Sequence, residues 1–173
     1  MDLQMRQTNF EFLKDYKKQF GGSLLVGKRK SARPISTKHP LHLVLKSTGG
    51  SYFNPTNKQL EKLIRTQAKK YSITIYDYAL NWSHIHALLR VPSRNDYLAF
   101  IRTLTALIVG YLSTALGKNL KGLFDLRPFT RVVSWGRDFK RAFDYQTLNQ
   151  LEALGMITRV KKSKKQRPVG KTS

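Results

Sequence analysis

The chain is 173 residues long and carries 32 Lys and Arg against 10 Asp and Glu, a formal net charge of +22. The length predicts one domain, and 40% hydrophobic residues predict that it folds. The chain contains no cysteine, which excludes disulfides, zinc ribbons and thiol catalysis. So basic a chain is expected to bind nucleic acid. A ribosome-associated or membrane-surface protein is the alternative.

The start of the chain leads into polar residues and has no apolar signal region. No apolar run approaches the length of a membrane span. We therefore expect a cytoplasmic protein with no membrane partner. The ten carboxylates do not cluster in the sequence, which disfavours a nuclease built on several metal-binding carboxylates.

The apolar spacing predicts a series of strands and helices in chain order. A short helix is expected within residues 1–20, and a basic extended arm over 27–40, where two prolines disfavour helix. Thr56 or Asn57 is expected to cap the next helix, and Ser93 or Asn95 the long one after it. Gly117 and Gly155 are expected to end the last two helices. The strands are expected at 42–46, 72–80, 83–91 and 127–135, and the helices at 57–70, 95–116 and 137–154.

The order of these elements predicts the fold class. Strand, helix, strand, strand, helix and strand fit an α+β, ferredoxin-like antiparallel sheet with helices on one face. The last helix would be an addition beside that sandwich. We expect an N-terminal helix and basic arm over 1–40, a domain over 41–157, and a basic, disordered tail over 158–173.

Two histidines in the second strand of the predicted hairpin form a candidate metal site. His84 and His86 are two residues apart, so their side chains share one face with Cβ atoms roughly 7 Å apart. Both imidazoles could converge on one divalent ion, and Mg²⁺ or Mn²⁺ accepts imidazole alongside oxygen ligands. Exposed strand histidines without a metal are the alternative.

The last predicted helix supplies two further candidates. Tyr145 and Asn149 are four residues apart, which places them on one helix face. Asn149 could give its side-chain oxygen to the metal, and Tyr145 could project its hydroxyl beside it. A rim aromatic and a solvated amide are the alternatives, and Tyr97 and Tyr111 are rival nucleophiles.

This combination suits cleavage of a phosphodiester. A divalent ion polarises the scissile phosphate and stabilises the departing 3′ oxygen. A tyrosine hydroxyl attacks the phosphorus and forms a 5′-phosphotyrosine, which a 3′-OH can later reverse. Strand transfer then needs no nucleoside triphosphate, and the sequence has no phosphate-binding Gly-Lys-Ser/Thr loop.

These segments resemble the single-tyrosine HUH transposases. The run from Asn81 to Leu89 is similar to that family's His-hydrophobic-His strand, and Tyr145-Gln-Thr-Leu-Asn149 is similar to its Tyr-x-x-Leu-Asn helix. The stretch from Gly21 to Leu45 resembles the branch associated with repetitive extragenic palindromes (REP). Gln150 departs from the pattern, because a proline commonly stands there. The resemblance implies a transposase that is a DNA endonuclease and strand transferase, acting on single-stranded hairpin DNA as a monomer or homodimer.

Several residues are candidates for holding that DNA. Arginine and lysine bind phosphates and arginine reads guanine edges, while exposed aromatic rings stack on unpaired bases. Trp82 could equally pack at the hairpin turn. His42, at the start of the first strand, could support the site, although a structural or surface role is expected. A noncatalytic nucleic-acid binder on a ferredoxin-like sheet is the alternative function. The DNA-binding candidates are Lys28, Arg29, Lys30, Arg33, Trp82, Lys161, Lys162, Lys164 and Lys165.

Overall fold

A computed structural model gives the fold and describes residues 18–27, 31–124 and 126–158, without the side chain of Leu25. The five strands and three helices follow one another along the chain. They are β1 (Gln19–Phe20), β2 (Leu41–Lys46), α1 (Lys58–Lys70), β3 (Thr74–Asn81), β4 (His84–Arg90), α2 (Arg94–Leu116), β5 (Phe129–Val132) and α3 (Arg137–Ala153).

The strands form one antiparallel sheet in the order β1-β5-β2-β4-β3. The hairpin pairs β3 with β4, and β2 lies between β4 and β5. From β2 to β5 the chain runs β-α-β-β-α-β, which is the ferredoxin-like arrangement. The predicted α+β class is confirmed.

The main core lies between one face of the sheet and helices α1 and α2. Alternate residues of β2 point into it, because successive strand side chains face opposite sides. Leu41, Leu43 and Leu45 are each at most 2% exposed. From β4 the same core receives Ile85, Ala87 and Leu89.

The capping residues follow from the sequence. The Asn57 side chain accepts from the backbone N–H groups of Gln59 and Leu60, each at 3.1 Å, and so begins α1. The Ser93 hydroxyl accepts from Asp96 N–H at 3.1 Å and begins α2. Gly117 ends α2 with a φ of 62°, a left-handed conformation that glycine adopts without strain.

Judged by length and composition alone, helix α2 is long and apolar enough to cross a membrane. Its most apolar 18-residue stretch has a mean hydropathy of 1.5 and is 22% buried. The apolar runs of the sequence had not indicated such a helix. Its inner face packs in the main core through Tyr97, Phe100, Leu104 and Ile108. The helix is thus one layer of the sandwich.

Helix α3 lies on the opposite face of the sheet from α1 and α2. Its Ala142 packs in a second, smaller cluster with Leu88 of β4 and Val133, beside Tyr76 and Phe139. The even-numbered residues of β4, which include both histidines of the strand, share this second face.

The N-terminal segment differs from the sequence expectation. Gln19–Phe20 form a strand rather than the end of a helix, because they pair with β5 at Arg131 and Thr130. Pairing with a sheet edge overrides the weak helical spacing there. The rest of the expected helix, residues 1–17, lies outside the described residues, as do 28–30 of the arm and 159–173 of the tail.

Candidate active site

The two histidines of β4 lie side by side on the α3 face of the sheet. The ring centroids of His84 and His86 are 4.6 Å apart. His86 is 5% exposed and His84 is half-buried. Since the alternate residues of β4 enter the main core, the strand holds both rings rigidly toward α3.

Each histidine ring has its Nδ1 atom beside a hydrogen-bonding partner. His84 Nδ1 lies 3.0 Å from Ser83 Oγ, and His86 Nδ1 lies 3.1 Å from His42 Nε2. Burial and nearby Lys46 lower the pKa of His84 below its usual value. The neutral ring keeps a lone pair for a metal, and the Nε2 atoms are the ones that could use it.

The start of α3 is fixed to β5 and the preceding loop by a carboxylate. Asp138 accepts two hydrogen bonds from Arg131, at 2.8 and 3.1 Å, and one from Ser134 N–H at 2.9 Å. Burial alone would raise the pKa of Asp138, but these hydrogen bonds outweigh it and lower the pKa.

An aromatic cluster adds to this attachment. Tyr76 of β3 meets Trp135 and Phe139 edge-on, with centroids 5.7 and 5.4 Å away. Trp135 also donates its indole N–H to the carbonyl of Lys38 at 3.0 Å. The first turn of α3 is thereby held against both β3 and the chain that leads into β2.

The far end of α3 is held at the hairpin turn. Trp82, with a φ of 31°, donates its indole N–H to the carbonyl of Ala153 at 3.3 Å. At the other end, Ala142 packs on Leu88. The middle of α3 therefore lies over the part of β4 that carries His86 and His84.

Tyr145 and Asn149 occupy that middle stretch. The Tyr145 ring centroid is 6.1 Å from that of His86 and 6.5 Å from that of His42. Tyr145 is 47% exposed, whereas Asn149 is 2% exposed on the helix face that packs against the sheet. The fold thus brings the predicted nucleophile to the predicted ligand His86, and it buries the predicted third ligand on the same helix.

The donor set suits a divalent ion. Two imidazoles on one strand and a buried side-chain amide could offer two nitrogens and an oxygen, a mixture that Mg²⁺ or Mn²⁺ accepts. Among the described residues, no three His, Asp or Glu side chains cluster in a metal-binding arrangement.

The rival tyrosines lie elsewhere. Tyr97 is 1% exposed in the main core, and burial raises its pKa to about 12. Tyr111 exchanges hydrogen bonds with the Asn57 side chain, at 3.1 and 3.2 Å. Both belong to the α1–α2 side of the sheet, away from the histidine pair.

His42 lies beside the candidate site, as the alternative to a structural or surface role allowed. Its ring contacts those of His86 and Tyr145. Burial, followed by the charge of Arg131, lowers the pKa of His42 to about 4, so the ring is neutral at neutral pH. Only the pairing of β2 with β4 places this ring beside His86, and the sequence does not reveal that register.

Arg33 is held inside the fold, and its contact with DNA stays a prediction. Arg33 is 9% exposed and donates to the carbonyl of Pro128 at 2.8 Å and to Thr130 Oγ1 at 2.7 Å. Its guanidinium also lies over the Phe20 ring, 4.4 Å from the centroid. These contacts hold β1 and β5 together and leave little of the guanidinium for a ligand.

The other predicted DNA contacts also stay predictions. Trp82 bonds to α3 at the turn and is still 46% exposed, so base stacking by this ring stays a prediction. The predicted lysines and arginine at 28–30 and the lysines at 161–165 lie outside the described residues.

Basic residues that the sequence analysis did not single out surround the histidines. Lys46 pairs directly across from His84. A cleft of about 350 Å³ beside Tyr145 and His42 is lined by Arg131 and Arg141. A second cleft, of about 370 Å³, lies over Val44 and Phe129 and is flanked by Lys46 and Arg127. The sequence carries no periodic signal for this set, because its members come from three separate segments: β2, β5 with the stretch that leads into it, and α3.

Gln146 is the least expected polar residue near the site. It is fully buried on α3, next to Tyr145, and neither side-chain amide atom has a hydrogen-bond partner among the described residues. Such a group is costly inside a protein. The sheet-facing side of α3 is therefore polar at Gln146 and Asn149, although it lies against strands.

The solved structures to which the chain is similar include two transposases. A REP-associated tyrosine transposase bound to a REP hairpin aligns with a TM-score of 0.54 and 14% identity, over 72% of this chain and 74% of that one. A provisionally named transposase from Deinococcus radiodurans R1 aligns with a TM-score of 0.43 and 15% identity, over 70% of this chain and 98% of that one. Neither a protein-family profile nor a curated protein matches the sequence.

The first of these likenesses defines the class of fold. At 14% identity it shows a shared architecture, and the second, more distant likeness adds nothing to it. The resemblance drawn from the His84–His86 strand and the Tyr145 helix is thus confirmed at the level of the fold. This chain has the ferredoxin-like fold of a REP-associated tyrosine transposase.

Proposed function

We propose that the protein is a transposase-like enzyme that nicks and rejoins single-stranded DNA through Tyr145, with Mg²⁺ or Mn²⁺ at His84, His86 and Asn149. One observation carries the proposal. A half-exposed tyrosine ring stands 6.1 Å from a buried strand histidine, on a helix whose two ends are both fixed to the sheet.

The proposed reaction is a nucleophilic attack by Tyr145 on a phosphate of the DNA. The Tyr145 hydroxyl attacks the phosphorus; a bond forms from its oxygen to phosphorus and the bond from phosphorus to the 3′ oxygen breaks. The tyrosine proton passes to water, which reaches this exposed side chain, and the departing 3′ oxygen takes up a proton. A bound divalent ion would supply charge stabilisation at the phosphate oxygens.

The substrate is single-stranded DNA next to a hairpin. The neighbouring transposase structure was determined with a REP hairpin, and the charge of +22 favours any nucleic acid. Phe129, half-buried in the cleft beside β2, offers a face for an unpaired base, with Lys46 and Arg127 at its edges for phosphates. Lys46 lies across from His84, so a strand bound along this cleft would reach the candidate active site.

A noncatalytic nucleic-acid binder is the second candidate. The open sheet face with Phe129, Lys46 and Arg127 could hold a strand without any metal or nucleophile. This function would need neither the approach of the Tyr145 ring to His86 nor the buried amide of Asn149 on the same helix.

A trapping experiment separates the two. The protein is incubated with Mn²⁺ and single-stranded hairpin DNA that carries a label on the 3′ side of the cleavage site, and denaturing gels resolve protein–DNA adducts. We expect an adduct that EDTA abolishes and that Tyr145→Phe does not form.

Tyr111→Phe is the matched control, because it removes a tyrosine hydroxyl from the other side of the sheet, and it should form the adduct normally. Binding of every hairpin without any adduct, over a range of divalent ions, would instead favour the noncatalytic binder.

A further inference from the structure

The contact between His42 and His86 has a specific geometry. His42 Nε2 and His86 Nδ1 are 3.1 Å apart, the ring centroids are 5.3 Å apart, and the ring planes differ by 6°. The distance between the two ring centroids is longer than the distance between the two nitrogens, and the difference is about the sum of the two ring radii. The rings therefore lie end to end in nearly one plane, and the contact is a hydrogen bond rather than a face-to-face stack.

Such a hydrogen bond permits only two arrangements of the protons. In the first, His42 Nε2–H donates to His86 Nδ1; a neutral His86 then carries its own proton on Nε2. In the second, His86 Nδ1–H donates to His42 Nε2, and His86 Nε2 keeps its lone pair. Only the second arrangement lets His86 give Nε2 to a metal.

We propose that His42 is a positioning residue that accepts the Nδ1–H hydrogen bond of His86 and thereby presents His86 Nε2 to a divalent cation. This inference rests on the proposed metal site. It assigns to His42 the part that a carboxylate or a backbone carbonyl commonly plays behind a metal-bound histidine.

The surroundings of His42 suit an acceptor. The side chain is mostly buried on β2, and its cleft also contains Arg131 and Asp138, whose charges pair with each other. The Tyr145 ring packs edge-on against both His42 and His86.

The position also explains why β2 matters to the site. His42 and Val44 share the α3 face of β2, and Val44 is the direct cross-strand partner of His86. His42 reaches His86 diagonally across the ladder. The pairing of β2 with β4 therefore fixes the position of the His42 ring. Through their contact, His42 in turn fixes the orientation of the His86 ring.

Nitrogen-detected NMR of the histidine rings tests the arrangement directly in the metal-free protein. We expect His86 in the Nδ1–H form and His42 with an unprotonated Nε2. A wild-type protein in which His86 carries its proton on Nε2 would overturn the proposal, and this measurement needs no variant to fold.

Binding of Mn²⁺, followed by the loss of its free-ion EPR signal without any DNA present, gives a second readout. His42→Phe removes the acceptor and should weaken Mn²⁺ binding by about 10- to 100-fold. His42→Gln offers a side-chain oxygen in place of Nε2 and should recover most of that loss. His39→Gln, a histidine three residues earlier, should bind as the wild type does.

Equal Mn²⁺ affinity in His42→Phe and wild type would contradict the role. The result is separable from the proposed function. Tight Mn²⁺ binding that depends on His42, without any DNA adduct, would retain His42 as a positioning residue and overturn only the strand-cleaving activity. If the wild type bound no Mn²⁺, the metal site and this inference would both fail, even if an adduct formed.

Discussion

At the residue scale, His86 gathers contacts from three different elements. Its ring meets His84 on its own strand, His42 on β2 and Tyr145 on α3. Because the residue is 5% exposed, none of these contacts has to compete with much water. The position of each neighbour therefore depends on the others, and substitutions here should couple.

His42 gives a pH-dependent contribution to stability. Its pKa is about 4 in the folded protein against 6.5 ordinarily, so the unfolded chain binds the additional proton between these values. The free energy of unfolding is then unaffected above pH 6.5 and falls as the pH drops toward 4. In EDTA, urea titrations should show this part of the loss as about 1.5 kcal/mol between pH 6.5 and 5.

His42→Gln isolates this contribution, because the amide does not titrate. Across the same pH range its unfolding free energy should fall less steeply than that of the wild type. Equal slopes for both proteins would show that His42 is not held neutral by the fold.

At the element scale, α3 is fixed at its ends and polar in its middle. Asp138 and the aromatic cluster hold its start, and the Trp82 indole holds its end. Between them, the buried face carries Gln146 and Asn149 rather than leucines. A helix that served packing alone would place apolar residues there, so this stretch carries polar groups at a cost in stability.

Gln146→Met measures that cost. Methionine has a similar volume and removes an amide that lacks partners among the described residues, so the free energy of unfolding should rise by about 1–2 kcal/mol. Urea unfolding checks the change. Gln150→Met, an exposed position one turn later on the same helix, should change stability by less than about 0.5 kcal/mol.

A Gln146→Met protein that is clearly less stable than the wild type would contradict this account of α3. It would mean that the amide of Gln146 is satisfied in the folded protein.

The elements were largely predictable from local patterns. The Asn57 and Ser93 caps, the period-two strands and the stop at Gly117 lie within a few residues of where they act. The face of β4 that carries His84 and His86 also followed from alternation alone. Two adjacent residues of β1 were not predictable, since their strand exists only through pairing with β5, more than a hundred residues away.

The site was predictable only in part, for the same reason. Tyr145, Asn149 and the two strand histidines stand out by spacing within one element. His42 and Arg33 looked interchangeable with surface residues, yet tertiary contacts bury them, one in the site and the other between β1 and β5. Register between strands distant in sequence decides such cases, and a single sequence does not contain it.

At the scale of the whole molecule, charge should bring the substrate to the correct face. The chain carries +22, and Lys46, Arg127 and Arg141 line the two clefts beside the histidines. Phosphate contacts release counterions, so the affinity for DNA should fall steeply with salt.

Lys46→Ala tests whether this face holds the strand. Fluorescence anisotropy with single-stranded DNA across a salt series should give a log–log slope shallower by about 0.7, the loss of one phosphate contact. Lys69→Ala removes an exposed lysine from α1, across the sheet, and should leave the slope unchanged. The reverse pattern would place the DNA on the helical face.

The most direct test of the central claim is to identify the atom to which cleaved DNA is attached. Adducts formed with Mn²⁺ and hairpin DNA are digested with nuclease and trypsin and read by mass spectrometry. The tryptic peptide that follows Arg141 contains one tyrosine, Tyr145. Our account predicts a 5′-phosphate-linked nucleotide on that peptide, whereas a nucleotide on the peptide of Tyr97 or Tyr111 would contradict it.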